Sequence, residues 1–259
     1  MSALALLGAT ARLGQRDVLK NVDLTVASGE LVIVVGPNGA GKSSVIRALA
    51  GLLPLASGEV RLAGDALSRL SSRERAARIS YLPQDGRIAW NLPAVEIAAL
   101  GAPFLSGPES VARARDALRD VVIEHLADRG VAEMSGGERA RVLVARALAA
   151  PAAALLADEP VAGLDPDAQL LVLDRLKARA RAGQAVLASL HDLDLAARYA
   201  DRVIVLEQGA VRADAPPLEA LPPKVLSSVF GLDARWIEGP DGPLLSRRRY
   251  SPGSGSGVR

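Results

Sequence analysis

Residues 36–43 read Gly36-Pro37-Asn38-Gly39-Ala40-Gly41-Lys42-Ser43, and no other stretch constrains the fold as tightly. The string fits G-x-x-x-x-G-K-[ST], a phosphate-binding loop that needs a strand before it and a helix after it. Both flanks comply. Residues 31–35 (LVIVV) form a continuous, largely β-branched run, as a strand buried on both faces does. Residues 44–52 (SVIRALAGL) carry apolar side chains at helical spacing. Gly36, Gly39 and Gly41 let the backbone wrap a phosphate without Cβ clashes. The N–H groups of residues 39–43 then meet an anion at the helix N-terminus, where the dipole favours negative charge. In that geometry Lys42 reaches the β- and γ-phosphates and the Ser43 hydroxyl ligates Mg2+.

Composition narrows the remaining classes. A chain of 259 residues with 49% apolar residues buries a substantial core. Aromatics are 3%, too few for a base-stacking platform, and the net charge of +2 gives little pull on a polyanion, so no nucleic acid is expected as partner. The basic run Arg247-Arg248-Arg249 is expected in a solvated tail. Cysteine is absent, which excludes disulfides, cysteine-ligated zinc and thiol chemistry. No stretch approaches 18 uncharged apolar residues, and LALLGA near the start lacks the basic lead of a signal peptide.

Along the chain, residues 1–30 read as antiparallel strands and 58–63 as another. Ser71 and Glu74 form a capping box that opens a short helix to Arg78, and Ile79 to Leu82 reads as a strand ended by Pro83. From about 85 to 150 strand signals vanish, and 109–127 and 136–149 read as helices. Strand and helix then alternate again: 153–157, 166–181, 186–190, and strands at 203–206 and 211–213 joined by a turn at Gln208-Gly209. A helix near 222–229 and a hairpin turning at Gly239–Pro243 follow, and residues 251–259 are expected to be disordered. The result is one α/β unit: a P-loop NTPase core of about 1–84 and 151–214 with an antiparallel β-subdomain, an inserted helical subdomain of about 85–150, and an extension of about 215–259.

Residues 154–157 lead into Asp158-Glu159-Pro160, an apolar strand ending in two carboxylates. After a phosphate loop, the first suits the Mg2+ shell and the second suits polarising a water. Met134-Ser135-Gly136-Gly137-Glu138 opens a helix: Ser135 can cap it with Glu138 completing the box, and the same terminus can bind an anion. With these in place the chain resembles the nucleotide-binding subunit of an ATP-binding-cassette (ABC) transporter. The phosphate loop, Gln84 in YLPQD, the signature MSGGE, ALLADEP, GLDP at 163–166 and LHDLD around His191 stand in the family's order, spanning about 36–195.

The resemblance implies roles. Lys42, Ser43 and Ser44 hold phosphates and Mg2+, Gln84 meets Mg2+ or the water, Asp158 supports Mg2+, Glu159 is the general base and His191 contacts the γ-phosphate. Ser135, Gly136 and Gly137 close over ATP held by the other protomer, and Asp165 lies across that interface. Asp165 before Pro166 is equally a helix N-cap. One loop and one signature per chain imply a head-to-tail pair of copies around ATP. The family's adenine-stacking aromatic is missing, since no Phe, Trp or Tyr precedes Tyr81; Arg12 by its guanidinium or Leu13 by packing would serve. Glu138 and Met134 stand where glutamine and leucine are usual. The spacing around YLPQD and the tail LPPKVLSSVFGLDARWI resemble ATPases of importers for iron chelates, haem or cobalamin. A peripheral subunit on the cytoplasmic face of the inner membrane is then expected, with transmembrane permease subunits as partners and, indirectly, a substrate-binding protein. Residues near 85–110 would receive the permease, with Trp90 and Leu92 either as apolar contacts there or packed within the helical insertion. A soluble ATPase of translation or DNA repair is the alternative, but it would carry two cassettes or a heptad coiled coil. A low-turnover nucleotide switch is the other, and the presence of Glu159 and His191 argues against it.

Overall fold

A computed structural model describes residues 2–86, 88, 91–239 and 242–249. The central layer is a six-stranded sheet containing β3 (Leu31–Val35), β6 (Ile79–Leu82), β7 (Ala154–Ala157), β8 (Ala185–Ser189), β9 (Arg202–Glu207) and β10 (Ala210–Ala215). Its order is β10-β9-β3-β8-β7-β6, parallel throughout except for the β9–β10 hairpin. β3 sits inside the sheet and is wholly buried, which explains its unbroken apolar run. Its residues alternate between two cores, as the strand period demands. Leu31, Ile33 and Val35 face one cluster, and Val32 and Val34 face the other.

On the Val32/Val34 side, α1 (Lys42–Leu49) lies between the central sheet and a second, antiparallel sheet. That sheet has the order β2-β1-β4-β5 and is built from β1 (Ser2–Leu13), β2 (Arg16–Ala27), β4 (Ser57–Leu62) and β5 (Asp65–Ala66). The other side carries α5 (Gly136–Ala149), α6 (Pro166–Arg181) and α7 (Leu193–Tyr199), with α3 (Ala94–Ala99) and α4 (Gly107–Asp120) packed against α5. Helix starts follow local chemistry: capping boxes open α2 (Ser72–Arg78) at Ser71, α4 at Ser106 and α5 at Ser135, and the Asp165 carboxylate accepts the Ala168 N–H at 2.9 Å to open α6. The turn between β9 and β10 is Gln208-Gly209, both residues left-handed.

The C-terminal segment adds α8 (Pro217–Ala220), α9 (Pro223–Phe230) and a hairpin of β11 (Leu232–Gly239) and β12 (Gly242–Arg249). The run Arg247–Arg249 is thus the end of β12 rather than part of a tail, and Arg247 approaches Asp194 of α7 to 3.8 Å. Residues 251–259 and Trp90 lie outside the described residues.

One helix departs from its sequence pattern. The apolar spacing predicts a helix over 109–127, but α4 stops at Asp120. Val122 turns left-handed at φ 58°, and the Ile123 N–H closes back on the Leu118 carbonyl at 2.9 Å, a bond that ends helices. Burial of Val121 and Ile123 on either side holds the turn against the strain of a β-branched residue in that region. Val122 itself is 60% exposed, so its side chain contributes little packing. Val122→Asn is therefore expected to raise the free energy of unfolding by about 1 kcal/mol. A higher urea midpoint with an unchanged m-value would register this.

Candidate functional site

The glycine loop and the polar groups that face it leave the carboxyl ends of parallel strands. The glycine loop follows β3, Gln84 follows β6, Asp158 and Glu159 follow β7, and His191 follows β8. Pairing aligns those ends, with Val34 opposite Ser189 and Ala157 opposite Ala188. The crevice beyond such ends is where open α/β sheets bind ligands.

The loop is pinned by close backbone approach. A Cβ on Gly36 would sit 2.3 Å from the Leu206 carbonyl oxygen. Gly41, at φ 109°, would place one 2.8 Å from the Val18 carbonyl oxygen. The Ala40 N–H donates to Pro37 O at 3.1 Å, and the Gly209 N–H donates to Ala40 O at 2.9 Å, tying the loop to the β9–β10 turn. A cleft of about 290 Å³ opens over it, lined by Asn38 to Ser44, Gln84 and Glu159, with Arg16 and Val18 at one side. Lys42 is buried, and its Nζ donates to the carbonyls of Gly36 (2.8 Å) and Pro37 (3.3 Å). Burial holds its ammonium below the usual lysine range, while Glu159 and Asp158 pull it back up.

Glu159 is the hub. Gln84 Nε2 donates to its Oε2 at 2.8 Å, and His191 Nε2 lies 2.5 Å from its Oε1. A carboxylate only accepts, so Nε2 carries the proton in this contact. Asp158 is 3% exposed, and its N–H donates to Leu82 O at 2.8 Å, joining the ends of β7 and β6. Its Oδ1 accepts from Ser189 Oγ at 2.7 Å, and the same hydroxyl accepts the Glu159 N–H at 2.8 Å. Sequence reasoning missed Ser189. Its signal was one polar residue ending an apolar strand, two positions before His191.

The other expected residues stand apart from this cleft. Ser135 caps α5: its hydroxyl accepts the Glu138 N–H at 3.2 Å, and Glu138 Oε2 accepts the Ser135 N–H at 2.7 Å. These bonds hold the Glu138 carboxyl below its ordinary range, so a negative charge sits at the signature. Gly136 is the first residue of α5, and Gly137 lies beside Leu164, which precedes the capping Asp165. Arg12 does not line the cleft. Its guanidinium pairs with Asp17 across the β1–β2 turn at 2.6 Å and is largely exposed, as is Leu13. Arg16 takes that place, with its Nη2 alongside Gly39. Its signal was the two-residue spacing from Val18, which puts both on one face of β2. Leu92 is partly buried and packs against the core, as expected if it packs within the helical insertion.

A glycine loop under an open cleft, with a buried aspartate and a glutamate held by glutamine and histidine, defines a P-loop nucleotide hydrolase with an inserted helical arm. The sequence model of the ABC transporter family matches residues 19–162. The chain is 44% identical over 227 residues to the hemin import ATP-binding protein HmuV of Streptomyces coelicolor, covering 86% of this chain and 81% of that one. It is 43% identical over 252 residues to HmuV of Myxococcus xanthus, covering 92% and 94%. Among solved structures it resembles the dimeric, ADP- and phosphate-bound ATP-binding cassette MJ0796, with a TM-score of 0.75 and 29% identity over 83% of this chain and 98% of that one. The chain belongs to the ABC transporter family, and it is an ATP-binding subunit whose ATPase activity powers transport.

Arg16 rather than an aromatic stands beside the loop, where its guanidinium would be free to meet a base. Arg16→Ala is expected to weaken ATP binding about three- to tenfold, in line with a single cation–π contact. Competition with a fluorescent nucleotide measures this, and tripolyphosphate affinity should change less than ATP affinity.

Proposed function

We propose that this chain is the ATP-hydrolysing subunit of a haem importer, acting as a head-to-tail pair beneath a membrane permease. The observation that carries the hydrolytic part is the convergence of Gln84 and His191 on Glu159, above the loop that holds Lys42. Similarity to hemin import ATPases over nearly the whole chain supports the cargo.

In this reading Lys42, Ser43, Ser44 and the amides of residues 39–43 bind the phosphates. Glu159 takes a proton from the water that attacks the γ-phosphorus as the bond to the bridging oxygen breaks and ADP leaves, Gln84 positions that water, and His191 contacts the γ-phosphate beside it. The donor set fits Mg2+: Ser43 hydroxyl, Gln84 amide oxygen and the Asp158 carboxylate are hard oxygen ligands. Asp158 is moreover a buried carboxylate that forms no salt bridge among the described residues, a state that a cation compensates. When bound, Mg2+ would neutralise phosphate charge.

The signature residues Ser135, Gly136 and Gly137, together with Asp165, lie outside the chain's own cleft, so we assign them to the ATP of a second copy. The core of about 1–84 and 151–214 would carry hydrolysis, residues 85–150 would form the arm presenting the signature, and 215–259 would be an extension. For the permease, an apolar cleft of about 290 Å³ at Leu52, Ala76, Ile79 and Tyr81 is the best receptor. Arg73, stacked 5.2 Å from the Phe104 ring, joins its α2 wall to the segment after α3, where Leu100 is exposed. No helix among the described residues is long and apolar enough to cross a membrane. We therefore put the chain peripherally at the cytoplasmic face of the membrane, with the permease, and through it a substrate-binding protein, supplying haem.

Glu159→Gln is expected to bind ATP normally, to lower kcat by at least about 100-fold, and to accumulate as a dimer on size exclusion with ATP; hydrolysis at the parental rate would remove Glu159 as base. For the cargo, the tagged chain is expected to co-purify from mild-detergent extracts with a polytopic permease whose ATPase responds to a haem-loaded binding protein. Recovery with ribosomal or DNA-repair proteins would overturn the importer reading.

A further inference from the structure

We propose that Ser189 is a positioning residue for ATP hydrolysis: its hydroxyl locks the Asp158 carboxylate and the Glu159 backbone into one rigid unit at the phosphate loop. The inference rests on the reading of Glu159 as general base.

Ser189 is fully buried at the end of β8, after four apolar residues, between the ends of β3 and β7. A hydroxyl has one proton, and here its direction is fixed. The Glu159 N–H donates to Ser189 Oγ at 2.8 Å, so Oγ spends its proton on Asp158 Oδ1 at 2.7 Å. Two consequences follow. Asp158 cannot rotate without breaking a buried bond, and with Oδ1 engaged it is Oδ2 that is left to meet a cation. Glu159 stands at φ 51°, left-handed backbone that a glutamate rarely adopts and that surrounding contacts must hold. The Ser189 hydroxyl supplies the bond to its N–H, while Gln84 and His191 fix only the far end of the side chain. One buried oxygen atom thus sets the spacing between the carboxylate beside the phosphates and the base, and the same strand end leads within two residues to His191.

The experiment compares Ser189→Ala, Ser189→Cys (similar volume, weaker donor) and Ser189→Thr (hydroxyl kept) in the full-length chain. It records melting temperature, kcat and KM for ATP, and Mn2+ affinity in the presence of ADP by electron paramagnetic resonance. The Ala and Cys variants are expected to lose about 10- to 100-fold in kcat, with KM for ATP changed less than about threefold. Their Mn2+ affinity should fall several-fold, and Ser189→Thr should recover most of both losses. Should Ser189→Ala fail to fold, the Cys and Thr pair carries the comparison. Parental kcat and Mn2+ affinity in a folded Ala or Cys variant would overturn the proposal, as would a Thr variant no better than Cys. Failure of the underlying reading looks different: Glu159→Gln would then hydrolyse ATP at the parental rate, while weakened Mn2+ binding in Ser189→Ala would still report the lock on Asp158.

Discussion

Parallel pairing sets Val34 of β3 opposite Ser189 of β8, and Ala188 opposite Ala157 of β7, so three strands end at one level. Everything chemical in this protein depends on that register. The loop after β3 presents amides and Lys42, β7 delivers Asp158 and Glu159, and β8 delivers Ser189 and His191. A slip of one residue in either pairing would turn these side chains to the opposite face of the sheet. Burial on both sides forbids the slip, because β3, β7 and β8 expose none of their residues and alternate ones fill two separate cores.

The buried charges sit close together on this frame. Among the described residues Lys42 is the buried cation and Asp158 the buried anion, with Glu159 beside them. Desolvation disfavours the charged lysine and the two carboxylates favour it, so the group is held between opposing effects and tied to the loop's own carbonyls. For the triphosphate proposed to bind here, Lys42 would be a positive partner already oriented. That preorganisation is what a phosphate site needs, because phosphoryl transfer depends on positioning and electrostatics.

The helical arm packs against the strand that leads to Gln84, where the Ser80 hydroxyl donates to Ala147 O of α5 at 2.8 Å, and against the segment that follows it. Gly86, two residues after Gln84, lies so near α5 that a Cβ there would sit 2.1 Å from Leu143 Cδ1. The segment carrying Gln84 is thereby packed on the helix that begins with the signature. Gln84 holds Glu159 at one end of this path, and Ser135 with its capping Glu138 stands at the other. Under the proposed function, a shift of the arm would reach Glu159 through Gln84.

The sequence by itself determined the features whose physics is local. Glycines at 36, 39 and 41 made the loop, the unbroken apolar run made β3, and Ser71, Ser135 and Asp165 fixed helix starts, because each needs only backbone angles and hydrogen bonds within a few residues. Motif order extended this to Gln84 and His191, which lie 75 and 32 residues from Glu159 and which local physics could not have paired. Tertiary structure alone decided the rest. It chose Arg16 over Arg12 for the cleft, since Asp17 captures Arg12 across the turn. It ended α4 at Asp120, where burial of Val121 and Ile123 outweighs a continuing helical pattern. It also made Ser189 the link between two carboxylate residues, because strand order, which no spacing records, is what brings β8 beside β7.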